Sequence, residues 1–218
     1  MIKKTLMPIG AVAALSLVLL SCSTPSAQVT NSGSSSSKTN VPPAGQDEYR
    51  AVSVNVLSVD NKGTKVEARL ETVDEPFKHP SLVPSRLTIR NLATNETIFE
   101  EKSDDTALSA YVRALNEEVG EALVVTWSGG SGDRIEILAV DSSKARVLLD
   151  ERYRVDAALI DVSGHGQVDV LITTGDSGVG PFSTTRYVWN GDRFQPAGKV
   201  SYKSLGDTIE RQFRPTTK

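Results

Sequence analysis

The sequence predicts a mostly β domain of antiparallel hairpins and repeated β blocks, with one or two short helices. Three observations predict it. Apolar and polar residues alternate with period two through much of the chain after Tyr49. Clusters of Gly, Asn, Asp and Pro separate these runs. In the second half, one block recurs after about 50 residues, the spacing of propeller blades and other β arrays. At 218 residues the chain has room for one domain or two small ones. Its 39% hydrophobic and 23% charged residues are ordinary for a soluble fold.

A net charge of -3, without a Lys/Arg cluster, argues against nucleic acid, because a nucleic-acid binder must replace counterions on phosphates. One Cys and two His are too few for a structural zinc site of four N or S ligands, and a single Cys leaves no internal disulfide. The folded part must therefore hold together by burial.

The first residues differ from the rest. Met1-Ile2-Lys3-Lys4 is basic, Thr5 to Leu20 is apolar or small, and the run ends in Leu19-Leu20-Ser21-Cys22. The apolar part is short for a membrane span and has the pattern of a secretory signal over residues 1–21. The tetrapeptide resembles the lipobox of bacterial lipoproteins. That resemblance implies cleavage after Ser21, a diacylglyceryl group on the Cys22 sulfur and acylation of the new amino terminus, which together give durable anchoring. Ser23 rather than Asp after the Cys implies sorting to an outer membrane, where the cell has one. Residues 22–47 are Ser, Thr, Asn, Gly and Pro with almost no large apolar side chain, so they read as a tether. Such a coil of about 25 residues reaches roughly 25–30 Å on average.

The β-rich domain is expected over 48–218. Val52, Val54 and Val56, then Val66, Ala68 and Leu70, flank Asp60-Asn61-Lys62-Gly63 as a hairpin. Leu87 and Ile89, then Ile98 and Phe99, flank Ala93 to Glu96 as a second. Ala107, Leu108, Tyr111, Val112 and Leu115 suit a short helix capped by Asp104 or Asp105, although the same stretch can begin a strand. A second short helix is expected around Leu205 to Arg211. The echo itself pairs Gly120–Thr126 with Val168–Thr174, each followed by a Gly/Ser loop and another strand. The blocks cover about 115–152 and 157–200.

Within the second block, Ala158 to Ile172 runs from a strand through Asp161-Val162-Ser163-Gly164-His165-Gly166 to Asp169 and a further apolar strand. This stretch resembles the FG-GAP or VCBS type of β-propeller blade repeat, and Tyr187 to Phe194 resembles the hairpin that follows in that family. The resemblance implies an incomplete propeller or sandwich-like stack, whose open edges the N-terminal hairpins would cover. It also implies calcium at Asp161, Ser163, His165 and Asp169, of which only the two aspartates offer carboxylates. The competing reading is a plain turn, with Gly164 and Gly166 at positive φ and Asp161 capping the backbone.

Gly175-Asp176-Ser177-Gly178-Val179-Gly180-Pro181 resembles the nucleophile loop of chymotrypsin-like serine proteases. It would make Ser177 a nucleophile with His79 or His165 as base. A Gly-rich inter-strand loop accounts equally for this segment and for Ser128–Gly132 in the first block. Trp127 and Trp189 fall at similar strand ends and suit packing, or else a sugar-stacking platform. The expectation is a membrane-anchored, non-enzymatic module outside the cytoplasm that contacts protein or glycan. A serine hydrolase and a calcium-stabilised module are the alternatives.

Overall fold

The structure is a computed structural model that describes residues 48–60, 63–74, 82–175 and 181–202. These residues form twelve strands: β1 Tyr49–Ser58, β2 Lys65–Val73, β3 Ser85–Asn91, β4 Thr97–Ser103, β5 Thr106–Asn116, β6 Gly120–Ser128, β7 Asp133–Val140, β8 Ala145–Tyr153, β9 Asp156–Ile160, β10 Asp169–Gly175, β11 Phe182–Trp189 and β12 Phe194–Tyr202. Consecutive strands pair antiparallel into three four-stranded sheets, β1–β4, β5–β8 and β9–β12. The two expected N-terminal hairpins are therefore halves of one sheet, joined through β2 and β3 with Leu70 opposite Leu87. The meander seen twice in the sequence is present three times.

The second sheet lies between the other two, with β5 against β1, β2 and β3, and β8 against β10. Its central strands β6 and β7 are consequently buried on both faces. Leu123, Val125 and Trp127 of β6 enter one core with Leu57, Val66, Leu70, Leu87 and Ile89. Ala122 and Val124 enter the other with Ile135, Ile137, Val170 and Ile172. This double burial explains why Ala122 to Val125 reads as an unbroken apolar run where β2 alternates.

The turns follow one rule on the odd-to-even connections. At each, an Asp or Asn at or just beyond the end of the first strand accepts from backbone N–H groups of the turn. Asp60 takes Thr64 N at 2.9 Å, Asn91 takes Ala93 N at 2.8 Å and Asn116 takes Val119 N at 2.7 Å. Asp141 takes Ser143 N at 2.7 Å, Asp161 takes Gly164 N at 2.7 Å and Asn190 takes Arg193 N at 2.9 Å. A short side-chain acceptor adds to the backbone bonds that close the turn, such as Asp141 N to Lys144 O at 2.9 Å.

Two expectations need correction. Among the described residues there is no helix, and Thr106–Asn116 is strand β5. Its register slips between Ala107 and Ser109 and again between Ala114 and Asn116. Two bulges displace the alternation and leave an apolar spacing that imitates a helix. The second sheet accordingly starts at Thr106, not near Leu115. The stretch Leu205 to Arg211 lies outside the described residues.

Candidate functional site

The loop between β9 and β10 carries the four residues tied to calcium by sequence. Asp161 caps it completely. One carboxylate oxygen accepts from Gly164 N at 2.7 Å, His165 N at 3.3 Å and Ser163 Oγ at 3.2 Å, and the other accepts from Gly166 N at 2.7 Å. The Gly166 and Gly164 amides hold the Asp161 carboxyl below its ordinary value. Gly164 and Gly166 sit at φ +72 and +76, left-handed conformations that a glycine adopts without strain. Asp169 is buried at the start of β10 and gripped by Arg186, at 2.8 Å to Nη2 and 3.0 Å to Nε. Burial, with the charge of Asp161 adding to it, lifts its carboxyl above the usual range against the pull of that guanidinium. Ser163 and His165 are bonded here only through the Asp161 cap. Among the described residues, no three His, Cys, Asp or Glu side chains converge as a metal would require.

The two tryptophans, similar by position, have separate fates. Trp127 is fully buried in the first core, with the Arg134 guanidinium 5.0 Å from its ring centre. Trp189 is only partly buried. It stacks edge-on with Phe194 at 5.8 Å and donates from Nε1 to Glu118 Oε2 at 2.8 Å. Trp189 also lines a groove of about 400 Å³ with Val59, Glu118, Val119, Asp141, Lys144 and Arg146. These residues come from turns of all three sheets, at the end of the stack that bears the Asp/Asn caps. Further cross-links draw the same turns together. Asn91 Nδ2 donates to Ser142 O at 2.8 Å, and Arg146 Nη1 meets Asp192 Oδ1 at 2.6 Å. An indole edge flanked by two cations and two carboxylates can stack an apolar ring and hydrogen-bond its substituents.

A third cluster escaped the sequence reading. Between the first and second sheets, Arg134 reaches Glu101 at 2.5 Å, Asp150 at 3.6 Å and Asp105 at 3.8 Å. Arg152 joins Asp105 at 3.0 Å. Glu136, two residues along β7 and almost fully buried, shares a hydrogen bond with Glu101, and burial followed by that carboxylate raises it to about 8. Arg134 is pulled down by burial but held above its ordinary value by Glu101, Asp150 and Glu136. The only sequence signal was a charged pair, Arg134 and Glu136, inside an otherwise apolar strand.

Cys22, His79 and Ser177 lie outside the described residues. The segment corresponding to Ser177 in the second sheet is a tight β6–β7 turn in which Gly129 N donates to Gly132 O at 2.8 Å. A side chain at Gly129 would meet Arg152 Nη1 and Asp105 Oδ1, so there glycine serves close packing. No family model, curated protein or solved structure matches the chain.

Proposed function

We propose that this chain is a cell-envelope lipoprotein, held at a membrane through lipid on Cys22, whose β domain is a non-enzymatic binding module. Its three meanders are propeller-blade-like repeats in an unclosed stack, since a closed propeller takes at least about four. The binding surface is the groove around Trp189, and its partner is a glycan or protein of the envelope. One observation carries this reading: turns from all three sheets converge there and leave one indole accessible among Glu118, Lys144 and Arg146. Loops grouped at one end of a rigid β scaffold are where such folds place recognition. The lipobox resemblance and the tether support the anchor, and Ser23 supports the outer membrane as its destination.

The test is tryptophan fluorescence of the full chain during titration with envelope glycan fragments and envelope proteins. Trp127 is buried, so a saturable change should come from Trp189 and vanish in Trp189→Phe while the melting temperature holds. A flat titration across the panel, or one that Trp189→Phe leaves intact, removes the groove as the binding surface. Palmitate labelling lost in Cys22→Ser would support the anchor, and a chain that stays membrane-bound and unlabelled would refute it. Covalent labelling of Ser177 by a serine-directed phosphonate would overturn the non-enzymatic reading and favour the hydrolase.

A further inference from the structure

The outer faces of the two end sheets are unlike. On the first sheet, Glu67, Arg69 and Glu71 of β2 lie beside Arg86, Thr88 and Arg90 of β3, a grid of charge that the exposed Val54 and Val56 of β1 border. On the third sheet, the side of β10 turned away from the second sheet carries Leu171 and Thr173, and β11 sets Thr184 and Phe182 beside Thr173 and Gly175. Leu171 is 1% exposed, Thr173 1%, Thr184 0% and Phe182 4%. Neither Leu171 nor Phe182 belongs to either core. The Phe182 ring lies over Gly175, where a Cβ would come within 2.5 Å of it. Thr173 and Thr184 satisfy each other through a buried hydroxyl pair at 2.8 Å. A sheet face with its hydroxyls paired internally and its apolar residues screened from water has a cover.

We propose that residues 203–218, the segment directly after β12, lie across this face as its cover. The connection is short: β12 is the edge strand of the same sheet and ends at Tyr202, opposite Phe182. The sheet's other face is occupied by the second sheet, so only the outer one is free to receive the segment. Leu205, Ile209 and Phe213 recur every fourth residue, which places them along one side of a helix. Asp207, Arg211 and Arg214 fall on the opposite side. The tether offers no comparable apolar stripe, and the β10–β11 connection joins Gly175 to Phe182 at one end of the face. Covered in this way, the stack is closed at its third sheet.

The test uses the full chain carrying Cys22→Ser, so that the only thiols are introduced ones. Ala158→Cys, next to Leu171 on that face, is combined in turn with Leu205→Cys, Ile209→Cys and Phe213→Cys, and Val54→Cys on the first sheet replaces Ala158→Cys as the control. A disulfide needs its two Cα atoms within about 7 Å. At least one Ala158→Cys pair should close within the same molecule under mild oxidation, and no Val54→Cys pair should. Absence of any cross-link, or cross-links found only between two molecules, overturns the proposal, the latter in favour of a second copy as the cover. In parallel, a chain ending at Tyr202 should melt several degrees lower and bind a hydrophobic dye, and the free peptide 203–218 should reverse both. An unchanged melting temperature without dye binding counts against the segment. Should the shortened chain not fold, the cross-links decide alone.

Discussion

The second sheet has a different chemistry on each face. Towards the third sheet it presents Ala122, Val124, Ile135, Ile137, Leu148 and Leu149, which meet Val168, Val170, Ile172 and Phe194 in an apolar seam. Towards the first sheet, Leu123, Val125 and Leu138 share the seam with Arg134, Glu136 and Asp150, and Glu101 and Asp105 approach from the other side. The apolar seam gains stability in proportion to area and is indifferent to pH. The charged seam holds four carboxyl groups against Arg134 and Arg152, so one acid keeps its proton. Two sheets can therefore join equally closely by unequal means, and only one of the joints responds to solvent conditions.

The largest effect should come from Arg134→Ala. It strips Glu101, Asp105, Glu136 and Asp150 of their shared cation within the seam, and breaking such a buried pair from one side costs about 3–5 kcal/mol. Denaturant unfolding should show this loss with little change in slope. Next should come Ile137→Ala in the apolar seam, at about 2–4 kcal/mol from lost transfer energy and the cavity left behind. Its cost should be the same at pH 5 and pH 8, whereas the cost of Arg134→Ala should change between them. Equal pH behaviour of the two variants would erase the contrast between the seams.

Glu136→Gln should go the other way. With its folded value at about 8 against an ordinary 4.5, the acid binds its proton more tightly folded than unfolded. Its contribution is intact below about pH 4.5, declines as pH rises because the unfolded chain releases the proton first, and levels off above about pH 8. Gln keeps a donor for Glu101 without needing a proton. The variant should thus gain on the order of 1–3 kcal/mol at pH 7 and show a flatter stability curve between pH 5 and 8. A parallel curve displaced by a constant amount would mean that Glu136 does not titrate in this window.

Much of this architecture was legible in residue order. Period two located β1 and β2 but pointed to the wrong face of β1, whose Val54 and Val56 lie on the solvated side beside Arg69 and Glu67 while Leu57 is buried. The unbroken apolar run at Ala122 to Val125 marked strand β6. Strand β5 was ambiguous because bulges at its two ends replace alternation with a helix-like spacing. The repeat was visible between the second and third sheets, where both carry an apolar run before a Gly/Ser loop. It faded in the first sheet, where Pro-rich sequence takes the place of that loop. For the candidate site, the aspartates of the β9–β10 loop drew attention by resemblance. Trp189 stood out by its place at a strand end, but the groove around it and Glu136 did not, since both depend on strands far apart in sequence meeting across seams.

The six Asp/Asn caps bear on the calcium reading and give the smallest predicted effect. Asp161 performs for its turn what Asp141 performs for the β7–β8 turn and Asn190 for the β11–β12 turn, and in the last of these an uncharged amide suffices. Asp161→Asn should therefore weaken the loop only slightly, by turning an amide NH2 towards the Gly164 or Gly166 N–H, and the loss should be confined to that exposed turn. Because the backbone amides hold the Asp161 carboxyl low, the stability it adds is present above its unfolded value and fades only as the pH falls through the lowered folded value. Calcium and chelator should give the same melting temperature in the parent chain and in Asp161→Asn. A calcium-dependent rise in the parent that Asp161→Asn abolishes would mean that the carboxylate turns outward to bind the ion, since a ligand bound only to the folded state stabilises it by mass action. The third sheet's turn would then differ in kind from the other five.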